Sequence, residues 1–162
     1  MKRASLGIAP IAAALAIAGC GGGYSSNSGS APSSGVKAAG TAPAIKIAHG
    51  KLGTYLTDAS GRALYLFEAD KGQSSTCYSA CASIWPPLTS GTAVASASGV
   101  SRTLVGTTKR ADGTTEVTYH GHPLYYYVGD TAAGSTTGQA LNQFGAKWYL
   151  VAPNGNTIDT DG

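Results

Sequence analysis

Gly61-Arg62-Ala63-Leu64-Tyr65-Leu66-Phe67-Glu68-Ala69-Asp70 is followed, sixty residues later, by Gly121-His122-Pro123-Leu124-Tyr125-Tyr126-Tyr127-Val128-Gly129-Asp130. The two stretches share the pattern G-x-x-L-Y-x-[FY]-x-x-D. Each follows a run containing Thr (Leu56-Thr57, Val117-Thr118) and leads through a Gly/Ser loop to a tryptophan, Trp85 or Trp148. A stretch repeated at this spacing is one supersecondary unit used twice, and neither copy can bury its apolar side chains alone. Side chains alternate between the faces of a strand, so Tyr65 and Phe67 point one way and Leu64 and Leu66 the other; Tyr125 and Tyr127 against Leu124 and Tyr126 repeat the split. Both faces are apolar. Either the strand is covered on both sides, or one face is core and the other is an aromatic platform for a ligand.

Outward from the motif, short β-branched or aromatic runs at 45–48, 54–57, 63–67, 103–107, 115–119, 124–128 and 147–151 read as strands bounded by turn residues. Ala59-Ser60-Gly61, Ala111-Asp112-Gly113, His120-Gly121-His122 and Pro153-Asn154-Gly155 supply residues that tolerate positive φ. Strands this closely spaced favour antiparallel packing over βαβ units. One short helix is expected at about 77–84, near Cys77 and Cys81, stopped by Pro86-Pro87. The expected fold is all-β. Two pseudo-symmetric repeats of antiparallel strands, about 45–90 and 101–153, form one small sandwich or barrel within a domain at 45–158.

Only 12% of the residues are charged, against about a quarter in ordinary globular proteins, so Ser, Thr, Gly and Tyr must supply the surface polarity. The net charge of +3 is too small for the basic face that nucleic-acid binding requires. Residues 1–19 read as a secretory signal. Lys2 and Arg3 precede an apolar run at 6–18 that is shorter than the roughly 20 residues a membrane span needs. Ile17-Ala18-Gly19-Cys20 resembles the lipobox of bacterial lipoproteins, which implies that Cys20 is diacylated and becomes the mature N-terminus. The alternative is a free cysteine after an ordinary signal cut. Removal of Lys2 and Arg3 leaves nine basic against eight acidic side chains, a charge of +1. Residues 20–44 hold almost nothing that can be buried and read as a disordered Gly/Ser tether, with a reach of roughly 25–30 Å. Acyl chains on Cys20 would make the membrane a partner without any segment crossing it.

The doubled Y-x-[FY]-x-x-D element, together with Ser74-x-x-Cys77-x-x-x-Cys81-Ala82-x-x-Trp85-Pro86-Pro87-Leu88 after the first copy, resembles the bacterial secreted-repeat lipoproteins with a Y-x-(FWY)-x-x-D motif. The resemblance covers residues 45–155. It implies the architecture and a place in the bacterial cell envelope, facing outside the cytoplasm, and very little chemistry.

Several residues nevertheless invite a chemical reading. Asp70 and Asp130 fall just past their strands, where a carboxylate caps the following turn; the alternative is a carboxylate dyad assembled by the pseudo-twofold. Cys77 and Cys81 form an even pair in an oxidising compartment, where a disulfide pinning the loop around Trp85 is the default and a thiolate pair for copper, haem or redox work the alternative. Trp85 and Trp148 are the aromatic anchors. His120 and His122 flank one glycine, with His49 elsewhere, and read as a surface pair rather than a metal site. No G-x-S-x-G, S-x-x-K, P-loop, dinucleotide fingerprint or H-E-x-x-H occurs. The expectation is a non-enzymatic surface binding or scaffolding lipoprotein with no cofactor and an unidentified envelope ligand. The alternative is a metal- or redox-linked envelope lipoprotein.

Overall fold

The computed structural model describes residues 42–159, so the signal at 1–19, Cys20 and the tether up to residue 41 lie outside the described residues. β1 (Ala44–Gly50) turns through Lys51-Leu52 into antiparallel β2 (Gly53–Thr57), and β4 (Ala95–Ser96) runs parallel to β1 on its other edge. A second sheet has β3 (Tyr65–Phe67) beside β9 (Ala146–Leu150) and β8 (Asn142–Gln143). The third orders β5 (Val105–Lys109), β6 (Thr115–Tyr119) and β7 (His122–Pro123). One short helix, α1 (Ala80–Ile84), precedes Trp85. The all-β class is borne out.

Backbone hydrogen bonds between these elements come in matching pairs. Leu64 N–H donates to Leu56 O and Leu124 N–H to Val117 O, both at 3.0 Å; Leu56 N–H donates to Val151 O and Val117 N–H to Leu88 O, both at 2.8 Å. Tyr65 and Tyr125 exchange both of their backbone bonds, each 2.9 Å long. Leu56 thus corresponds to Val117, Val151 to Leu88 and Tyr65 to Tyr125, and a pseudo-twofold passes between the two tyrosines. The closing segment of each repeat lies on the other repeat: β9 pairs with β3, whereas residues 85–88 lie against 124–127.

The two motif copies differ in one respect. Residues 63–67 condense to the three-residue strand β3, but the strand expected at 124–128 is reduced to bridges from Tyr125 to Tyr65 and to Pro87. Pro86 and Pro87 stand where Tyr149 and Leu150 stand in the other repeat, and a proline has no N–H to give a ladder. What survives are the bonds that need only their carbonyls, such as Tyr126 N–H to Pro86 O at 2.8 Å. Two further boundaries moved. The strand expected at 103–107 begins at Val105, after a 3-10 turn at Arg102–Leu104. The helix begins at Ala80 rather than 77, because Ser79 has φ +51° and cannot continue a helical turn.

The alternation in the motif sorts the core into two clusters. Leu64, Leu66 and Leu124 pack with Ile45, Leu56, Val117, Tyr119 and Val151 on one face, whereas Tyr65, Phe67 and Tyr125 pack with Trp85, Trp148, Tyr55, Leu150 and the two cysteines on the other. Both faces of the motif are covered, so its aromatic residues are core and not a solvent-facing platform. Tyr126 and Tyr127 are half-buried.

Candidate functional site

The residues shared by the two motif copies meet at the pseudo-twofold. The Tyr65 hydroxyl donates to Asp130 Oδ2 and the Tyr125 hydroxyl to Asp70 Oδ2, both at 2.6 Å. The tyrosine of each repeat therefore clasps the aspartate of the other. The second oxygen of each carboxylate caps the loop that follows it. Asp70 Oδ1 accepts from Thr76 N–H and Oγ1, both at 2.7 Å, and Asp130 Oδ1 from Thr137 N–H and Oγ1 at 2.8 and 2.7 Å. The two aspartates bond to different partners and do not form the dyad considered above. Burial, with the neighbouring carboxylate adding to it, holds the phenolic proton of Tyr65 far more tightly than in water. Tyr125 is shifted the same way by burial, then by the charge of Glu116 and the bond to Asp70.

The rings obey the same symmetry. Trp85 and Trp148 stack on each other at 4.0 Å with 6° between planes. Phe67 stacks on Trp148 at 4.1 Å and Tyr127 lies on Trp85 at 4.5 Å, so four rings from alternating repeats form one pile. Tyr65 meets Trp85 edge-on and Tyr125 meets Trp148 edge-on, an arrangement that suits the aromatic quadrupole. Gln143 serves both indoles, its side-chain oxygen accepting from Trp85 Nε1 at 2.9 Å and its backbone oxygen from Trp148 Nε1 at 3.1 Å. Gly138 admits this packing, since a Cβ there would sit 2.8 Å from the Trp85 ring and 3.0 Å from Tyr65.

A family model described as a secreted repeat of unknown function matches the chain twice, at residues 46–89 and 106–152. The chain belongs to the secreted-repeat family. No curated protein and no solved structure matches it. As a secreted repeat the protein works outside the cytoplasm, and among the described residues no helix is long and apolar enough to cross a membrane.

The symmetry of this secreted repeat fails at one place. Since Leu56 corresponds to Val117, Tyr55 corresponds to Glu116. Beside the Tyr65–Asp130 clasp stands the buried ring of Tyr55; beside Tyr125–Asp70 stands a carboxyl with no exposure to solvent. Arg110, itself buried, donates from Nη1 to Glu116 Oε2 at 2.7 Å and to Ser75 Oγ at 2.7 Å, from Nη2 to the Cys77 carbonyl at 2.6 Å, and from Nε to Asp112 at 3.2 Å. Its guanidinium also lies 4.5 Å from the Tyr78 ring centroid. Ser75 Oγ is 2.7 Å from Tyr125 Oη. The phenolic proton is committed to Asp70, so the serine hydroxyl supplies the proton of that bond. Burial works against the charge of Arg110, but the bonds and charges of Glu116 and Asp112 together outweigh it and raise its proton affinity. Burial pushes the Glu116 carboxyl up to about 7; Arg110 opposes this and the charge of Asp70 adds to it. Among the described residues Glu116 Oε1 has no hydrogen-bond partner.

The other expected residues are placed plainly. Cys77 and Cys81 form a disulfide with Cα atoms 5.2 Å apart, and Trp85 N–H donates to Cys81 O at 2.7 Å directly after it. His120 and His122 lie on the β6–β7 turn with ring centroids 6.5 Å apart, whereas His49 is on β1 beside Thr54 Oγ1 at 2.9 Å. Burial, then the charge of His120, lowers the pKa of His122. Among the described residues no three His, Cys, Asp or Glu gather in a group that could hold a metal. Ser75, Thr76, Arg110, Thr137 and Gln143 did not stand out in the sequence. A signal for two of them was present: Thr76 follows Asp70 by six residues and Thr137 follows Asp130 by seven, so the repeat extends beyond its aspartate.

Proposed function

We propose that this secreted repeat is a lipid-anchored display module, held at the outer side of a membrane by acyl chains on Cys20 and carrying a non-enzymatic binding or scaffolding domain on a Gly/Ser tether. The observation that carries the scaffolding reading is the use to which the motif is put. Tyr65, Tyr125, Asp70 and Asp130 spend their polar atoms on one another and on the loops at Thr76 and Thr137, which leaves those carboxylates no free oxygen for substrate chemistry. The binding reading is supported by Phe144. It is 47% exposed on the β8–β9 turn at φ +60°, a conformation that costs a side-chain-bearing residue and is retained most readily where the side chain has a use.

Anchoring is tested by radiolabelled fatty acid incorporation and fractionation. The wild-type chain is expected in membranes and labelled, and Cys20→Ala unlabelled and released. Label persisting in Cys20→Ala contradicts the anchor. Turnover of a substrate by the purified chain, lost in an Asp70→Asn variant that still folds, contradicts the non-enzymatic reading.

A further inference from the structure

Two pseudo-equivalent places flank the clasps, and the neutral Tyr55 shows that an uncharged side chain is compatible with the fold there. The other place holds the charged arrangement of Glu116 and Arg110, which the architecture does not require. We propose that Glu116 is a buried proton-binding site that makes the stability of this domain respond to the pH outside the cytoplasm, the folded domain holding a proton there that the unfolded chain releases.

The geometry is a matter of counting charges and bonds. Asp70 only accepts, from Thr76 and Tyr125, and so stands as a carboxylate. Arg110 is the buried cation of the set, bonded to Glu116 at 2.7 Å and through Nε to Asp112, whose side chain is 46% exposed. With Glu116 protonated the buried set is neutral. With Glu116 ionised it carries an excess negative charge, and the oxygen without a partner, Oε1, is part of an anion rather than a neutral carboxyl. A second negative charge in a buried set with one cation is unfavourable.

The groups facing Glu116 come from every side. Arg110 belongs to the β5–β6 turn, Asp70 and Ser75 to the loop after β3, and Tyr125, whose proton is tightly held, to the second motif. β5 presents Thr108 in register, and the segment after Trp85 presents Thr89. His122 feels the charge of Asp70, and burial favours its neutral form. The direction of the Glu116 shift agrees with the count, up from 4.5 to about 7. Between those pH values the folded state binds a proton that the unfolded state has released, so stability falls as pH rises through the window and the loss is complete above about 7. An ordinary salt-bridged carboxylate has the opposite sign.

Glu68 and Glu116 are the chain's only glutamates, so carboxyl-13C glutamate labelling of the full chain yields two side-chain resonances, assigned by loss of one in Glu68→Gln. The Glu116 resonance is expected to titrate near neutrality. Denaturant unfolding is expected to show the unfolding constant of wild type rising roughly a hundredfold between about pH 5 and pH 8. In Glu116→Gln, which mimics the protonated form, most of that rise should disappear, leaving the variant more stable than wild type at the alkaline end. A Glu116 resonance that completes its titration in the ordinary carboxylate range overturns the proposal, as does a Glu116→Gln chain whose unfolding follows the wild-type pH profile. If Glu116→Gln does not fold, the wild-type resonance decides the matter alone.

Discussion

The clasp of Tyr65 with Asp130 and the clasp of Tyr125 with Asp70 are one construction set in two environments. Bond lengths, threonine caps and edge-on tryptophans match from one to the other. The surroundings do not match, with Tyr55 beside the first, and Glu116, Arg110 and Ser75 beside the second. Geometry therefore follows the residues the two copies share, and electrostatics follows residues outside the motif. This is why a repeated pattern can be a dependable guide to architecture and a poor guide to chemistry.

The largest effects should fall at the shared ring pile and at the buried arginine beside one clasp. Trp85→Ala and Trp148→Ala each remove a fully buried ring from the central pile and should cost about 3–5 kcal/mol in denaturant unfolding. That is enough to unfold a domain of ordinary stability. A markedly smaller loss for one of them would break the symmetry of the core. Arg110→Ala takes the buried cation out of this set and leaves Glu116 Oε2, Ser75 Oγ and the Cys77 carbonyl without their donor, which should cost about 3–5 kcal/mol, whereas Tyr55→Phe at the pseudo-equivalent place should cost about 1 kcal/mol or less. Equal losses would mean that the two environments do not differ in the way described.

Smaller effects separate the repeats further. The Cys77–Cys81 disulfide closes a loop of only a few residues and has no counterpart beside Trp148. Replacing both cysteines with alanine should cost about 2 kcal/mol, read as a shift in the unfolding midpoint. Smallest of all, Phe144→Gly places at φ +60° the residue that best tolerates it, and its stability should stay within about 1 kcal/mol of wild type. A larger loss would make Phe144 a packing residue rather than an exposed one.

Much of the fold was legible in residues 61–70 and 121–130, because alternation on a strand and a repeated Y-x-[FY]-x-x-D suffice to place two apolar faces and a pseudo-twofold. The second strand was over-read: Leu124 to Val128 has strand composition, but its neighbour is Pro86-Pro87, and a ladder requires donors from both sides. The clasps could not be read, since each tyrosine binds the aspartate of the other copy and a linear pattern does not say which copy a side chain meets. Arg110 and Glu116 were hidden for a related reason. Alternation along β6 puts Glu116 opposite Val117, on what reads as the solvent face, and it is covered by parts distant in the sequence, among them the loop carrying Ser75 and Cys77 and the side chain of Arg110.

The reciprocal exchange across the pseudo-twofold is tested most directly by double-mutant cycles on the two tyrosines and two aspartates, using Tyr→Phe and Asp→Asn at each. The cross-repeat pairs, Tyr65 with Asp130 and Tyr125 with Asp70, should each show a coupling of about 1.5–3 kcal/mol, as expected for a hydrogen bond to a buried carboxylate. The same-repeat pairs, Tyr65 with Asp70 and Tyr125 with Asp130, should be additive to within about 0.5 kcal/mol. Coupling within a repeat, with additivity across the axis, would contradict the interlocked arrangement.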